Sequence, residues 1–516
     1  VPFGILADEL DAALIDLSDR SFEVKQAAVD VIAVSGDPRA ATILKALLSG
    51  ELHVRGQDRR AVLVAPVAAG FRMTDALDGA DLGVADRRDV KKITINNRMR
   101  NQLRTAIAAL TLESPDPALR LTAAREMLGD DNPLVVDAIR QQLDREEDRQ
   151  VREYLELSLA LASLRDTDPA VRLTGVGDLS GSLFPAARNA LTRLLNEEPD
   201  PEVRSASERA LAAIEQKLKL NGAAETLFFG LSLGSVLVLA AIGLAITFGV
   251  MGVINMAHGE LIMIGAYTTY LVQLAMPTMI DYSLFVAIPA AFVVAGLLGI
   301  LIERTVIRFL YGRPLETLLA TFGISLILQQ LVRTTISAQN VAVQNPSWMS
   351  GALQINPALA LTYNRLYILI FALLVFVALL LILKRTSLGL QVRAVAQNRA
   401  MARSMGVRSA RVDALTFGLG AGVAGVAGVA LSQLTNVGPN MGQAYIIDSF
   451  MVVVFGGVGN LWGTLVAGLT LGVANKLMEP WAGAVLAKIL VLVFIILFIQ
   501  KRPRGLFPQR GRAADG

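Results

Sequence analysis

The sequence predicts an all-α protein: a polytopic helical membrane bundle of about eight hydrophobic segments, preceded by a helical-repeat domain. Three observations lead there. Of the 516 residues 53% are hydrophobic, and the mean hydropathy is +0.51, more apolar than soluble domains usually are. The apolar residues are concentrated beyond residue 227, whereas residues 1–222 are polar and charged. Between two apolar segments lies KRTSLGLQVRAVAQNRAMARSMGVRSAR, Lys384 to Arg411, with seven basic residues and no acidic one. Such a loop stays in the cytoplasm, because Lys and Arg beside a span resist translocation.

The first domain is assigned to residues 1–222, with its boundary near Asn221-Gly222. The opening VPFGILADELDAALIDL is too acidic, and lacks the basic leader, to be a signal peptide itself. A signal sequence removed ahead of Val1 is one expectation; a trimmed chain or an unusual start codon is the other. Asp-Pro pairs recur in DPALR (Asp116–Arg120), DPAVR (Asp168–Arg172) and DPEVR (Asp200–Arg204), with weaker echoes at Asp19 and Asp148. Asp caps a helix and Pro fits its first turn. Apolar residues follow at helical spacing, as in Val203, Ala206, Ala210, Leu211 and Ile214. The pattern resembles HEAT-type repeats, in which paired helices stack into a solenoid. Residues 52–98 interrupt it as a small insertion, expected from its pattern to form two short strands. No nucleophile–base pair or metal cluster argues for an enzyme here. A partner-binding surface and an extension that only stabilises its neighbour are equally compatible with the residues.

The second domain, residues 223–512, contains apolar segments at about 227–251, 256–275, 284–303, 316–336, 365–383, 413–434, 447–474 and 484–500. Arg304, Arg308 and Arg313 mark one cytoplasmic loop, Lys384–Arg411 a second. Lys501, Arg502, Arg504, Arg510 and Arg512 mark a cytoplasmic tail. Residues 337–364 carry no charge, which suits the external side. Counting back from Arg304, three helices place residue 226 outside, so the first domain is expected to be extracytoplasmic. Lys217 and Lys219 pull weakly the other way. Counting forward, three crossings after Arg411 would leave the tail outside. One segment is therefore expected not to cross: 447–474, whose FGGVGNLWG centre reads as a broken, re-entrant turn.

Gly418, Gly422, Gly425 and Gly428 put small residues along one helix, where they allow close backbone approach in lipid. Asn255, His258 and Glu260 stand in an otherwise apolar stretch, and burying them is costly unless partners or water satisfy them. They are candidates for a solute path or a discontinuous-helix hinge, together with Tyr267 and Gln329; the plainer reading has them stapling a turn. One histidine is weak support for a proton relay. Gln273, Gln330, Asn436 and Gln443 read as helix–helix hydrogen-bonding groups. The basic loop, read as a helix from Leu390, places Leu390, Ala394, Met401 and Met405 on one face and Arg399 and Arg403 on the other. A projecting amphipathic helix of this kind is a docking element. No G-x-x-x-x-G-K-[ST] occurs, so ATP hydrolysis, if transport uses it, takes place on another chain. The absence of cysteine excludes disulfides and thiolate metal sites but names no compartment.

In order, LSLGSVLVLAAIGLAITFGVMGVINMAHGELIMIGAY, SLGLQVRAVAQNRAMARSMGV, VVVFGGVGNLWGTLVAG and RPRGLF resemble the branched-chain amino acid type of ABC-importer permease, over about 227 to 508. The long N-terminal extension, with LFFGLSLGSV, GRPLETLLATFGISLILQQ and NPSWMSG, resembles the urea-transport permease branch more closely still. The resemblance implies a non-enzymatic permease subunit in the bacterial cytoplasmic membrane. Its expected partners are ABC ATPase subunits, a second related permease and an extracytoplasmic solute-binding protein, with no cofactor, metal or nucleic acid. It also implies that Ser387–Val407 is the ATPase-coupling segment, with Gly389, Arg393, Ala394, Asn398, Ala402 and Gly406 at its centre. Urea is the solute this resemblance favours. A branched-chain amino acid permease, an ATP-independent channel or secondary transporter, and a membrane-anchored scaffold are the rival readings.

Overall fold

Asp and Pro decide where the helices of the first half begin. The computed structural model describes residues 3–507 apart from 36, 38, 57, 59, 68, 69, 87 and 88; Val1, Arg510 and Arg512 therefore lie outside the described residues. The chain divides into two units, Val1–Leu218 and Lys219–Gly516. The first unit opens with α1 (Phe3–Asp16), α2 (Phe22–Val34) and α3 (Ala40–Ser49). It continues with strands β1 (Leu52–Arg55), β2 (Ala61–Val67), β3 (Gly70–Asp75), β4 (Asp81–Ala85) and β5 (Val90–Lys92). After α4 (Asn97–Thr111) come α5 (Pro117–Glu126), α6 (Pro133–Leu143), α7 (Arg149–Ser163), α8 (Pro169–Leu179), α9 (Pro185–Glu197) and the long α10 (Pro201–Met251). The residues of α10 up to Leu218 complete this unit.

The insertion is a five-stranded antiparallel sheet of order β4-β3-β2-β1-β5, not two short strands. Val62 and Val64 alternate inward with Met73 and Val90 to make a small core of their own, the period-two burial that strands require. What recurs beyond it is a set of three helices, where the sequence suggested pairs. Pro117 and Pro169, Pro133 and Pro185, and Arg149 and Pro201 each begin matching helices 52 residues apart. The Asp-Pro steps are unevenly spaced because only some helix starts carry them: α6 and α9 begin at Asn132-Pro133 and Phe184-Pro185, and α7 at Asp148-Arg149.

The same polar joint closes both sets. Arg120 Nε and Nη2 donate to Glu146 at 2.8 and 2.7 Å, and Arg172 donates likewise to Glu198 at 2.9 and 2.7 Å. Each Arg also donates to two carbonyls of the preceding turn, Ser114 and Pro115 or Asp166 and Thr167. Each Glu accepts the N–H of the next capping Asp, Asp148 or Asp200. Bidentate charged pairs of this kind are strong and orientation-specific. The Arg120 guanidinium, against the cost of burial, holds the Glu146 carboxyl down at about 2 from the usual 4.5. A depressed carboxyl stabilises the fold above its unfolded pKa and loses that contribution as pH falls through the folded value. Thermal unfolding should therefore show Arg120→Ala to be destabilising at pH 7. The difference from wild type should shrink between pH 4.5 and about 2.

The second unit contains the rest of α10, then α11 (His258–Ala275), α12 (Ile280–Thr305) and α13 (Pro314–Thr335). A hairpin of β6 (Ala352–Asn356) and β7 (Leu359–Thr362) leads to α14 (Tyr363–Arg385), α15 (Ser387–Gln397) and α16 (Arg399–Ser404). The chain ends with α17 (Ser409–Ser432), α18 (Met441–Gly456) and α19 (Leu461–Lys501). Among the described residues six helices, rather than eight, are long and apolar enough to cross a membrane. The segment at 256–275 is helical, as α11, but its His258, Glu260, Tyr and Thr residues dilute its apolarity.

The segment 447–474 is not one broken span. It is the end of α18 and the start of α19, separated by a turn in which Gly457 and Gly459 take φ of +104° and +81° and Asn460 caps α19 through the N–H groups of Trp462 and Gly463. Only glycine adopts such backbone readily. α19 bends again where Gly483, at φ +77°, interrupts it after Pro480. Beyond that bend Lys488 pairs with Asp448, and Phe498 stacks edge-on against Phe455, so the chain returns along α18. Leu506 N–H and Phe507 N–H then bond to the carbonyls of Phe455 and Gly456. The tail and the 457–460 turn thus sit at one end of the bundle.

At the centre stands α17, whose side chains from Thr416 to Ser432 are all buried. A Cβ on Gly428 would collide with the carbonyl of Ile262, and one on Gly425 with that of Ala291. The glycine stripe therefore seats α11 and α12 directly on the α17 backbone, as small residues do between helices in lipid.

Candidate functional site

The basic loop folds as two helices. Thr386 caps α15 by accepting the Gly389 N–H. Asn398, in extended conformation, ends α15 and caps α16 through the Met401 N–H at 2.9 Å. The single helix expected from Leu390 to Met405 is therefore broken at Asn398, because a side chain that bonds its own downstream backbone starts a new helix. Gly406, at φ +86°, ends α16.

The buried side of the loop is Gly389, Val392, Val395 and Ala402, packed with Val412 of α17. Leu390, Met401 and Met405 are 63%, 63% and 79% exposed. Arg393 is exposed and donates to the carbonyl of Leu383, Ala394 is half-buried, and Asn398 is exposed. Arg399 does not join a solvated polar face. Its two Nη atoms reach Asp413 Oδ2 and Oδ1 at 2.7 and 3.0 Å, and its guanidinium lies 4.7 Å over the Tyr311 ring. Asp413 is 1% exposed, and a buried carboxylate needs such a partner. Burial works against the Arg399 charge, but Asp413 and Tyr311 outweigh it and raise its pKa above the ordinary value. Arg403 Nε donates to Ser409 Oγ at 2.7 Å. α16 is thus latched to the first turns of α17 and to the connection before α13.

A second polar group lies inside the bundle. α10 ends at Met251, Gly252 takes φ +67°, and no helix resumes until His258. At this break the Met256 N–H donates to Thr321 Oγ1 at 3.1 Å, and Asn255 Oδ1 accepts the Ala257 N–H. Glu260 Oε1 accepts from Ser325 Oγ at 2.9 Å and Gln329 Nε2 at 2.7 Å. Thr317, Thr321, Ser325 and Gln329 are all buried and recur every fourth residue, which puts them on one face of α13. The structure therefore joins Glu260 to Gln329 and places Asn255 at the same break. His258 is directed elsewhere, with Nε2 2.8 Å from the Ala240 carbonyl. Tyr267 is buried two turns further along α11. Gln273 binds the backbone of Gln344, whereas Gln330, Asn436 and Gln443 are exposed.

Thr321, Ser325, Tyr311 and Asp413 were not singled out from the sequence. The first two were legible as T-x3-S-x3-Q within an apolar helix. The latch was not, since Arg399, Tyr311 and Asp413 are far apart in the chain.

A family model described as the permease component of the branched-chain amino acid transport system matches residues 226–499. The high-affinity branched-chain amino acid transport permease LivH of Salmonella typhimurium is 34% identical over 291 residues, 55% of this chain and 94% of LivH. The corresponding BraD of Pseudomonas aeruginosa is 31% identical over 286 residues, 54% of this chain and 93% of BraD. A probable branched-chain amino acid transport permease of Methanocaldococcus jannaschii is 26% identical over 285 residues, 53% of this chain and 88% of its own length.

Proposed function

Because the chain belongs to the branched-chain amino acid transport permease family, we propose that it is the membrane subunit through which an ABC importer moves a small nitrogen-bearing solute inward. The family match along residues 226–499 carries this reading. Branched-chain amino acids are the solutes it favours. The helical spans support an inner-membrane, multi-pass location. ATP hydrolysis belongs to separate ATPase subunits, and a second related permease and a solute-binding protein complete the assembly.

The exposed apolar residues Leu390, Met401 and Met405 are the surface an ATPase would grip. Force on α16 would pass through Arg399 and Asp413 into α17, and from α17 into α11 and α12, which rest on its glycines. Alternating access then consists of two packings of these helices, biased by the nucleotide state of the ATPase.

Urea is kept as a second reading because of one observation. GRPLETLLATFGISLILQQ, the stretch that resembles the urea branch, is the one that carries Thr317, Thr321, Ser325 and Gln329 opposite Glu260. Proteoliposomes holding the purified assembly should accumulate labelled leucine under the first reading and labelled urea under the second. Solute conduction by this chain alone would instead indicate a channel or secondary transporter. No flux, with a partner retained by residues 1–222, would indicate a scaffold.

Gly406→Leu, which forces a side chain into left-handed backbone, and Arg393→Ala are expected to lower uptake at least about fivefold, the low end of usual coupling free energies. ATP hydrolysis and membrane insertion should persist in both. Uptake equal to wild type in both variants removes the coupling role. Since the chain has no cysteine, a Met405→Cys probe reports sidedness cleanly, and labelling is expected from the cytoplasm alone. A Val34→Cys probe tests the proposed extracytoplasmic placement of the first unit.

A further inference from the structure

The break between α10 and α11 encloses two polar atoms of opposite kind. Asn255 is 0% and Glu260 1% exposed. Glu260 Oε1 is shared by Ser325 and Gln329, while Oε2, equally enclosed, has no hydrogen-bond partner among the described residues. Asn255 Oδ1 holds the Ala257 N–H, while Nδ2 has no partner among them either. In each side chain one atom fastens the local fold and the other does not. Leaving such an atom unpaired is costly, and more so when it carries charge. Within a membrane bundle that cost marks groups kept for a solute. The break meets successive turns of α13: the backbone N–H of Met256, the residue after Asn255, donates to Thr321, and Glu260 accepts from Ser325, about 6 Å further along the helix.

We propose that Glu260 Oε2 and Asn255 Nδ2 form the seat of the solute in transit, Oε2 accepting an N–H and Nδ2 donating to an oxygen. The proposal rests on the transport reading above and narrows it. The solute class is a small molecule with an N–H donor and a carbonyl or carboxylate acceptor on the same or neighbouring carbon. Urea, simple amides and free α-amino acids meet this demand. A fully N-alkylated amide does not.

The test is made on the purified permease–ATPase assembly treated with dicyclohexylcarbodiimide, which attaches to carboxyl groups in apolar surroundings; modification of Glu260 is followed by peptide mass spectrometry. Urea or leucine is expected to slow modification about threefold at a concentration of twice its Kd, and tetramethylurea, which has no N–H, to leave the rate unchanged. The solute that protects is the one the seat accepts. Protection by neither urea nor leucine, or equal protection by tetramethylurea, overturns the proposal. In proteoliposomes Glu260→Gln, which sets an NH2 group where Oε2 would accept, should lower uptake about tenfold or more with the assembly intact. Should that variant fail to assemble, the protection measurement on the wild-type protein decides. Wild-type uptake with an unaffected Glu260→Gln variant removes the seat alone, whereas a wild-type assembly that takes up neither solute removes the transport reading.

Discussion

Asp413→Ala is expected to destabilise the bundle by about 3–5 kcal/mol, the usual cost of removing one member of a buried ion pair, and to reduce uptake to background. The substitution leaves the Arg399 guanidinium, 2.7 Å from the lost carboxylate, against the Tyr311 ring without its hydrogen-bonded counter-charge, Glu303 being the remaining negative group that acts on it. It also removes the charged tie between α16 and α17 and leaves only the Arg403–Ser409 hydrogen bond and the packing of Ala402 on Val412, so an ATPase pushing on Met401 and Met405 would tilt the loop and move the central helix less. Two further variants separate these effects. Replacing the pair together, Arg399→Met with Asp413→Leu, should recover much of the thermal stability, because no unpaired charge remains, yet leave uptake low. Arg399→Lys keeps the charge but loses the forked geometry and the ring contact, and should fall between wild type and Asp413→Ala. Detergent unfolding midpoints and proteoliposome uptake measure the two quantities; full uptake in Asp413→Ala would show that the latch transmits nothing.

The second large effect is expected at Gly428. A Gly428→Val protein should not be recovered as a monodisperse species, because the new side chain meets the backbone of α11 at Ile262 and Ala266 rather than a side chain able to turn away. Overpacking a well-filled core costs about 1–3 kcal/mol even where neighbours can adjust, and backbone carbonyls in a helix adjust little. Gly323 supplies the control: it is helical in α13, and a Cβ there meets nothing within 4 Å. Gly323→Ala should express normally and be slightly more stable, by about 0.5–1 kcal/mol, from helix propensity. Size-exclusion profiles of the two variants make the comparison. A monodisperse Gly428→Val protein would mean that α11 and α17 are not in backbone contact.

The features legible in the sequence were those written in local pattern. Asp-Pro steps announced helix starts, and the apolar runs located α12, α13, α14 and α17 to within a few residues. The glycine stripe marked the helix on which others rest. Glu260 and Gln329 stood out because each is polar within an apolar run. Patterns that depend on distant residues did not read through. The 52-residue recurrence was hidden because α6 and α9 begin at prolines without a preceding Asp, so only part of each set carried the Asp-Pro signal. The break at FGGVGNLWG was legible from its glycines, Gly457 and Gly459 among them, but the second bend, at Gly483 after Pro480, was not. Arg399 was placed on a solvated face because nothing in its own surroundings revealed Asp413, a buried acid 14 residues away across a second helix start. Leu390, Ala394, Met401 and Met405 share one face only if the loop is a single helix; the structure has two, in which Ala394 is half-buried and the other three are exposed.

The matching starts of the two three-helix sets have an evolutionary meaning. Cutting the chain after Asp116 and rejoining it at Pro169 restores an Asp-Pro junction identical to the one removed, in frame and in helical phase. A gene could therefore gain or shed this block by recombination without inventing a new connection, and the size of the first unit becomes a heritable variable separate from the permease it precedes.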